Sequence, residues 1–217
     1  MITTGLLGGS FNPAHGGHRA ISRNGIEALG LDELWWLVSP GNPLKPAKGM
    51  APLPARLASA QRMARRAPIR ATAIEAELGT RYTVDTLKKL VRRYPNRRFI
   101  WIMGADNLGQ LPQWRDWRGI ARTMPIAVIA RPGYNGRTHA AQAMGWLRRF
   151  VRPSGQRLHW TDWRPPALVF LRFSPDVRSA TAIRQADPRW FERYAGRAPR
   201  DPLTHSRPRD GKRKGPA

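Results

Sequence analysis

The chain has 217 residues, no cysteine, and 38 Lys and Arg against 14 Asp and Glu, a formal net charge of +24. That length supports one sizeable core and falls short of two full domains, while the missing cysteines exclude disulfides, thiolate metal sites and cysteine nucleophiles. No apolar run is long enough to span a bilayer, and the positive charge favours anionic partners such as phosphorylated metabolites or nucleic acid.

The first residues read as a strand over 2–7 that stops at Gly8-Gly9, not as a signal peptide, so a cytoplasmic location is expected. Helical spacing follows over 16–29, with Gly30 as its stop. A second apolar run, ELWWLV, covers 33–38. Residues 39–54 are rich in Pro and Gly and read as a long loop of the functional kind. A helix over 55–67 and a strand over 69–74 come next. A helix over 83–94 follows, with Thr83 as its cap and Pro95 beyond its end. Further strands are expected over 98–103 (RFIWIM), 125–130 (PIAVIA) and 167–173 (ALVFLRF), then short helices near Ser179 and Pro188. Strands alternating with helices imply an α/β, Rossmann-like doubly wound parallel sheet covered on both faces, closed by a small C-terminal helical part. One domain over 1–196 is expected, followed by a basic tail over 197–217 that composition assigns to disorder. That tail carries only +5 of the charge, so a tail-borne nucleic-acid grip does not explain the rest, and an Arg-rich surface is the simpler account.

The segment Gly8-Gly9-Ser10-Phe11-Asn12-Pro13-Ala14-His15-Gly16-Gly17-His18 closes the first strand and opens the first helix. In open α/β folds ligands bind at this edge of the sheet. Glycines let the backbone approach an anion, and the helix offers free N–H groups and the positive end of its dipole. His15 and His18, three apart, can share one side of the first turn and donate to phosphate oxygens or carry positive charge there. Taken alone, such a pair also fits a metal site or a plain surface. The order strand, Gly-Gly, Asn-Pro, His-x-Gly-His, helix is what gives it specificity. Near the other end, Ser179 and Thr181 can cap a short helix, and Arg184 offers a planar fork for phosphate.

GGSFNPAHGGH resembles the nucleotide-binding motif of the HxGH nucleotidyltransferases. The segment from Ser179 to Arg184 is similar to that family's ISSTxIR signature, matching at Ser179, Thr181, Ile183 and Arg184. It departs at Arg178, where Ile is usual, and at Ala180, where Ser is usual. The resemblance implies a nucleotidyltransferase-type fold and an ATP site at Gly8, Gly9, Ser10, Phe11, His15, His18, Gly104, Asp106, Ser179, Thr181 and Arg184, with His15, His18 and Arg184 catalytic. Three middle segments narrow it. Asn42-Pro43-Leu44-Lys45 resembles an NPxK loop. RYTVDTL, from Arg81, resembles SYTxDTL. Gly104-Ala105-Asp106-Asn107-Leu108 with Trp114-Arg115-Asp116-Trp117 resembles GADxL…W. All three are features of the bacterial-type nicotinate-nucleotide adenylyltransferases.

That resemblance implies transfer of AMP from ATP to nicotinic acid mononucleotide, giving the dinucleotide and pyrophosphate, with Lys45, Tyr82, Thr83, Asp106, Trp114 and Arg115 holding the acceptor. The residues suit it: Trp114 can stack on a pyridine ring, Lys45, Arg115 and the N–H groups near Thr83 can meet its carboxylate, and Asp106 can bind a ribose hydroxyl. Trp114 and Trp117 can equally face inward from one helix; one is expected to pack and one to stack. Mg²⁺ is expected through ATP's phosphates, with no protein metal cage. The alternatives are nicotinamide mononucleotide or another phosphomonoester as acceptor, or a basic nucleic-acid-binding protein, for which the Gly-Lys-Arg-Lys-Gly stretch from Gly211 leaves room. Nothing in the sequence bears on the oligomeric state.

Overall fold

Six parallel strands form one sheet in the order β3-β2-β1-β4-β5-β6: β1 Ile2–Gly9, β2 Glu33–Val38, β3 Ile69–Thr72, β4 Arg97–Gly104, β5 Ile126–Ala130 and β6 Leu168–Arg172. The computed structural model describes residues 1–41, 49–130, 142–173, 178–195 and 199–208. The helices are α1 Gly16–Leu29, α2 Leu53–Ala64, α3 Ile74–Leu78, α4 Thr83–Arg93, α5 Ala105–Gln110, α6 Trp117–Thr123, α7 Met144–Leu147 and α8 Ala180–Ala186, with 3-10 turns at Leu111–Gln113, Arg148–Phe150, Ser154–Asp162 and Trp190–Tyr194.

Strand side chains alternate between faces, and both faces are apolar because both are covered. Trp35, Leu37, Trp101, Met103, Ile126 and Val128 point one way and pack with residues of α4, α6 and α7. Leu34, Trp36, Val38, Ile100, Ile102, Val169 and Leu171 point the other way, onto α2 and Trp160. β1 pairs with β2 on one side and β4 on the other, and Leu6 stands level with both Trp35 and Trp101. The strand order reverses there, which opens a crevice at the carboxyl ends of β1 and β4.

The doubly wound sheet expected from the sequence is the one observed. Differences lie at the ends of elements. β3 stops at Thr72, not Ile74: the Asp201 carboxylate takes the Ala73 N–H at 2.6 Å, Thr72 Oγ1 takes the Ile74 N–H at 3.1 Å, and the chain turns into α3. α4 has Tyr82 at its N-cap, so Thr83 is the first helical residue rather than the cap. The region around 136–166, unassigned by sequence, contributes α7 and the 3-10 turn in which Trp160 is buried and donates to the Leu29 carbonyl at 2.9 Å. That bond satisfies one of the carbonyls left over at the end of α1.

Disorder is expected of 197–217, and of these only 199–208 are among the described residues. Residues 199–208 lie against the edge of the sheet, with Asp201 only 1% exposed. Its carboxylate accepts from Thr72 Oγ1 and the Ala73 N–H and gathers the Leu203 and Thr204 N–H groups, while Gln61 donates to the Arg200 carbonyl. Composition misses this because a single buried acid, not an apolar stripe, makes the attachment. Hydrogen bonds to a charged group contribute about 1.5–3 kcal/mol each, so Asp201→Ala is expected to lower stability by roughly 2–4 kcal/mol in urea unfolding. An unchanged midpoint would show that this segment does not hold the sheet edge.

Candidate active site

β1 runs out at Gly9. The chain turns through Phe11, at φ 45°, and enters α1 with His15 as N-cap. The two histidines make a reciprocal capping box: His15 Nδ1 accepts the Gly17 N–H at 3.1 Å and His18 Nδ1 accepts the His15 N–H at 3.2 Å. With each Nδ1 an acceptor, the neutral proton of each ring sits on Nε2. Their centroids are 3.8 Å apart. Burial, then the nearby His15, pushes the His18 pKa down to about 3. In the free protein His18 is therefore a neutral N–H donor, not the cation that the sequence also allows.

The neighbouring positions explain their residues. An added Cβ on Gly8 would lie 2.6 Å from the Trp101 ring, so the glycine makes room for that indole. Phe11 is buried, stacked on Trp36 at 5.0 Å and against His18 at 4.8 Å. It supports the histidine from beneath and does not line the cavity.

One helix holds this turn in place. Arg56 of α2, 1% exposed, donates to the carbonyls of Ser10 at 2.8 Å, Ser39 at 2.6 Å, Ala51 at 2.8 Å and Pro40 at 3.5 Å. Ser59, one turn on, accepts the Ala14 N–H. Asn12 donates to the Gly49 carbonyl and accepts the Ala51 N–H. The Gly-rich turn and both sides of the segment 42–48 are thereby tied together. Lys45 and the rest of the NPxK resemblance lie outside the described residues.

A cavity of about 450 Å³ opens at this point, within the range of small-ligand sites. Of the residues expected from sequence, Gly8, Gly9, Ser10, His15, His18, Tyr82, Thr83, Gly104, Asp106, Trp114, Arg115 and Ser179 all line it. Phe11, Thr181 and Arg184 do not. Arg184 reaches the Asn12 carbonyl at 2.6 Å and Thr181 Oγ1 at 3.2 Å, so it braces the Gly-rich turn from behind. Ser179 is the N-cap of α8, accepting the Ala182 N–H at 3.1 Å.

At the far end, Trp114 follows a 3-10 turn rather than lying on a helix with Trp117. Trp114 lines the cavity, while Trp117 packs edge-on against Trp146 at 5.4 Å. Both tryptophans pack in part against the core, and of the two only Trp114 lines the cavity. Arg115 lies over the Tyr82 ring at 4.7 Å, and no side chain caps the start of α4.

Sequence reasoning missed several lining residues, among them Ser39, Glu75, Trp101, Gln113 and the charged Arg81. Glu75 matters most. It is half-buried on α3, and burial pushes its pKa up to about 7 against the opposing hydrogen bonds from Ser39 and Thr86 and the charge of Arg56. Nothing local in IEAEL marks it, because its partners come from three other segments. No three His, Asp or Glu side chains converge on a metal position among the described residues. A second concavity, about 690 Å³, is lined by Arg62, Arg65, Arg193, Tyr194 and Arg207 and holds none of the motif residues.

The profile of the cytidylyltransferase-like family matches residues 6–186. A protein of Erythrobacter litoralis named "Probable nicotinate-nucleotide adenylyltransferase" is 62% identical over 204 residues, covering 94% of this chain and 93% of that one. A Parvibaculum lavamentivorans protein of the same name is 51% identical, covering 85% and 92%. Among solved structures, a Plasmodium falciparum nicotinic acid mononucleotide adenylyltransferase complexed with NaAD has a similar fold, with a TM-score of 0.60 at 16% identity over 85% of this chain and 83% of that one.

Glu75 gives a signed pH dependence. Its folded pKa is raised, so between its ordinary value of 4.5 and about 7 the folded protein binds more protons than the unfolded chain. Stability from this group is present at low pH and is lost as pH rises through that window. Glu75→Gln removes the loss, so the variant's melting temperature should gain on wild type from pH 5 to 8. A constant difference across that range would rule out the raised pKa.

Proposed function

We propose a residue-level mechanism for this chain, which belongs to the cytidylyltransferase-like family and, within it, to the nicotinate-nucleotide adenylyltransferases. The enzyme transfers AMP from ATP to nicotinic acid mononucleotide and releases pyrophosphate. The observation that carries the mechanism is one cavity joining the His15–His18 pair at the end of β1, Ser179 from the far end of the chain, and the Thr83–Trp114–Arg115 group opposite.

In this reading the acceptor's phosphate oxygen attacks the α-phosphorus of ATP in line, and the bond to the β-phosphate oxygen breaks. The nucleophile is already an anion, so positioning and charge stabilisation dominate. His15 and His18 donate from Nε2 to the reacting phosphates. Their Nδ1 atoms are held by the backbone of α1, which fixes both donors before substrate arrives. Arg184 acts as a brace through the Asn12 carbonyl. Trp114 stacks on the pyridine, and the start of α4 together with Arg115 receives its carboxylate. Asp106 takes a ribose hydroxyl.

Mg²⁺ would enter on ATP's phosphates and would neutralise charge there. It prefers oxygen ligands and keeps much of its water, which fits a cavity whose carboxylates, Glu75 and Asp106, stand on separate elements. No helix among the described residues is long and apolar enough to cross a membrane; we assign the enzyme to the cytoplasm.

Pyrophosphate release with nicotinic acid mononucleotide, run beside nicotinamide mononucleotide, is expected to favour the acid strongly; equal rates would discard the α4 and Arg115 carboxylate site. His18→Ala should lower kcat by at least about a hundredfold, or ~2.7 kcal/mol of barrier. Normal turnover in that folded variant would remove His18 from the mechanism. Trp114→Ala should raise the acceptor KM about tenfold, with the ATP KM unchanged.

A further inference from the structure

Position 178 is where this sequence departs most in charge from the motif it resembles, with Arg in place of Ile. The structure puts that arginine in the cavity, beside the histidines. Its guanidinium lies directly on Gly16: a Cβ added there would meet Nη1 at 2.0 Å, Cζ at 2.1 Å and Nη2 at 2.6 Å. Gly16 occupies the variable place in His-x-Gly-His, and a larger residue there would have to displace the end of the arginine side chain from where it lies. The Arg178 carbonyl also closes on Gly17, at 3.2 Å from a Cβ placed there. The chain thus brings an arginine that departs from the motif against a glycine of the His-x-Gly-His turn, across 162 positions of sequence.

The electrostatics give this pairing a purpose. The start of α1 already carries the positive end of a helix dipole, worth about half an elementary charge, and the Nε2–H donors of His15 and His18. A guanidinium added there increases the positive potential that an incoming anion meets. A polyphosphate is the anion that this cluster matches, and a planar guanidinium suits its oxygens. Arg184, the arginine shared with the family motif, is occupied with Asn12 and Thr181.

We propose that Arg178 is a catalytic residue of this enzyme, binding the β- and γ-phosphates of ATP and the pyrophosphate that leaves, from its place against Gly16. The proposal rests on the adenylyltransferase reading of the same cavity. Pyrophosphate departure adds negative charge on the bridging oxygen as its bond to the α-phosphorus breaks, and Arg178 meets that charge without transferring a proton.

The test measures binding of MgATP and of magnesium pyrophosphate by calorimetry, and steady-state kinetics, for wild type, Arg178→Ile, Arg178→Lys and Arg149→Ile. Arg149→Ile removes the same charge outside the cavity. Arg178→Ile is expected to weaken both ligands about tenfold or more and to lower kcat, with the acceptor KM unchanged. Arg178→Lys should restore part of the loss and Arg149→Ile should match wild type. Wild-type affinity and kcat in Arg178→Ile, or an equal loss in Arg149→Ile, would overturn the proposal. MgATP binding that depends on Arg178 without transfer to nicotinic acid mononucleotide would support it while overturning the acceptor.

Discussion

Arg56 is the point through which the site is assembled. A guanidinium 1% exposed has lost nearly all its water, and such a charge is tolerated only when its donors are met. Here they are met by carbonyls of Ser10, Ser39, Pro40 and Ala51, none in regular structure. The dependence runs both ways. Backbone groups at strand ends have no ladder partner and need one; the guanidinium needs acceptors. The result is a rigid join between the turn after β1, the exit of β2 and the entry to α2. Asn12 and the turn that leads into the histidines take their positions from that join.

Around it, the arrangement converts backbone polarity into recognition. His15 and His18 are positioned by the same N–H groups whose capping starts α1. The neutrality of His18 follows from burial against Phe11 and Trp36, so much of the positive character of this end comes from dipoles, N–H groups and arginine. A site built this way needs little reorganisation when a polyphosphate enters, which is where electrostatic catalysis gains most. The remaining positive charge is spread widely; the arginine-lined concavity on α2 and the 190–208 region lies on surfaces that carry no motif.

What could be read from sequence was whatever is local. ELWWLV and RFIWIM announce buried strands by composition, and GGSFNPAHGGH announces an anion site because strand end, turn and helix start are contiguous. What could not be read is whatever depends on distant partners. Arg56 looks like an exposed position in an ordinary amphipathic helix, and its burial follows only from four carbonyls brought from elsewhere. Glu75 and Ser39 likewise enter the cavity through tertiary placement. Phe11 and Arg184 belong to recognisable motifs, yet packing turns one into a support and the other into a brace. Trp114 and Trp117 are three apart, but a 3-10 turn before Trp114 gives them separate surroundings.

The contact between Asp201 and the end of β3 also has a consequence in time. It spans 129 residues, and the Arg184–Asn12 contact spans 172. A ribosome releases the β1–α2–β3 half first, and the groups that finish its edge and brace its first turn are made later. The nascent amino-terminal half must therefore wait, with the edge of β3 unsealed, until residue 201 has been synthesised. Such long-range closure slows folding and ties the turn after β1 and the edge of the sheet to residues supplied far along the chain.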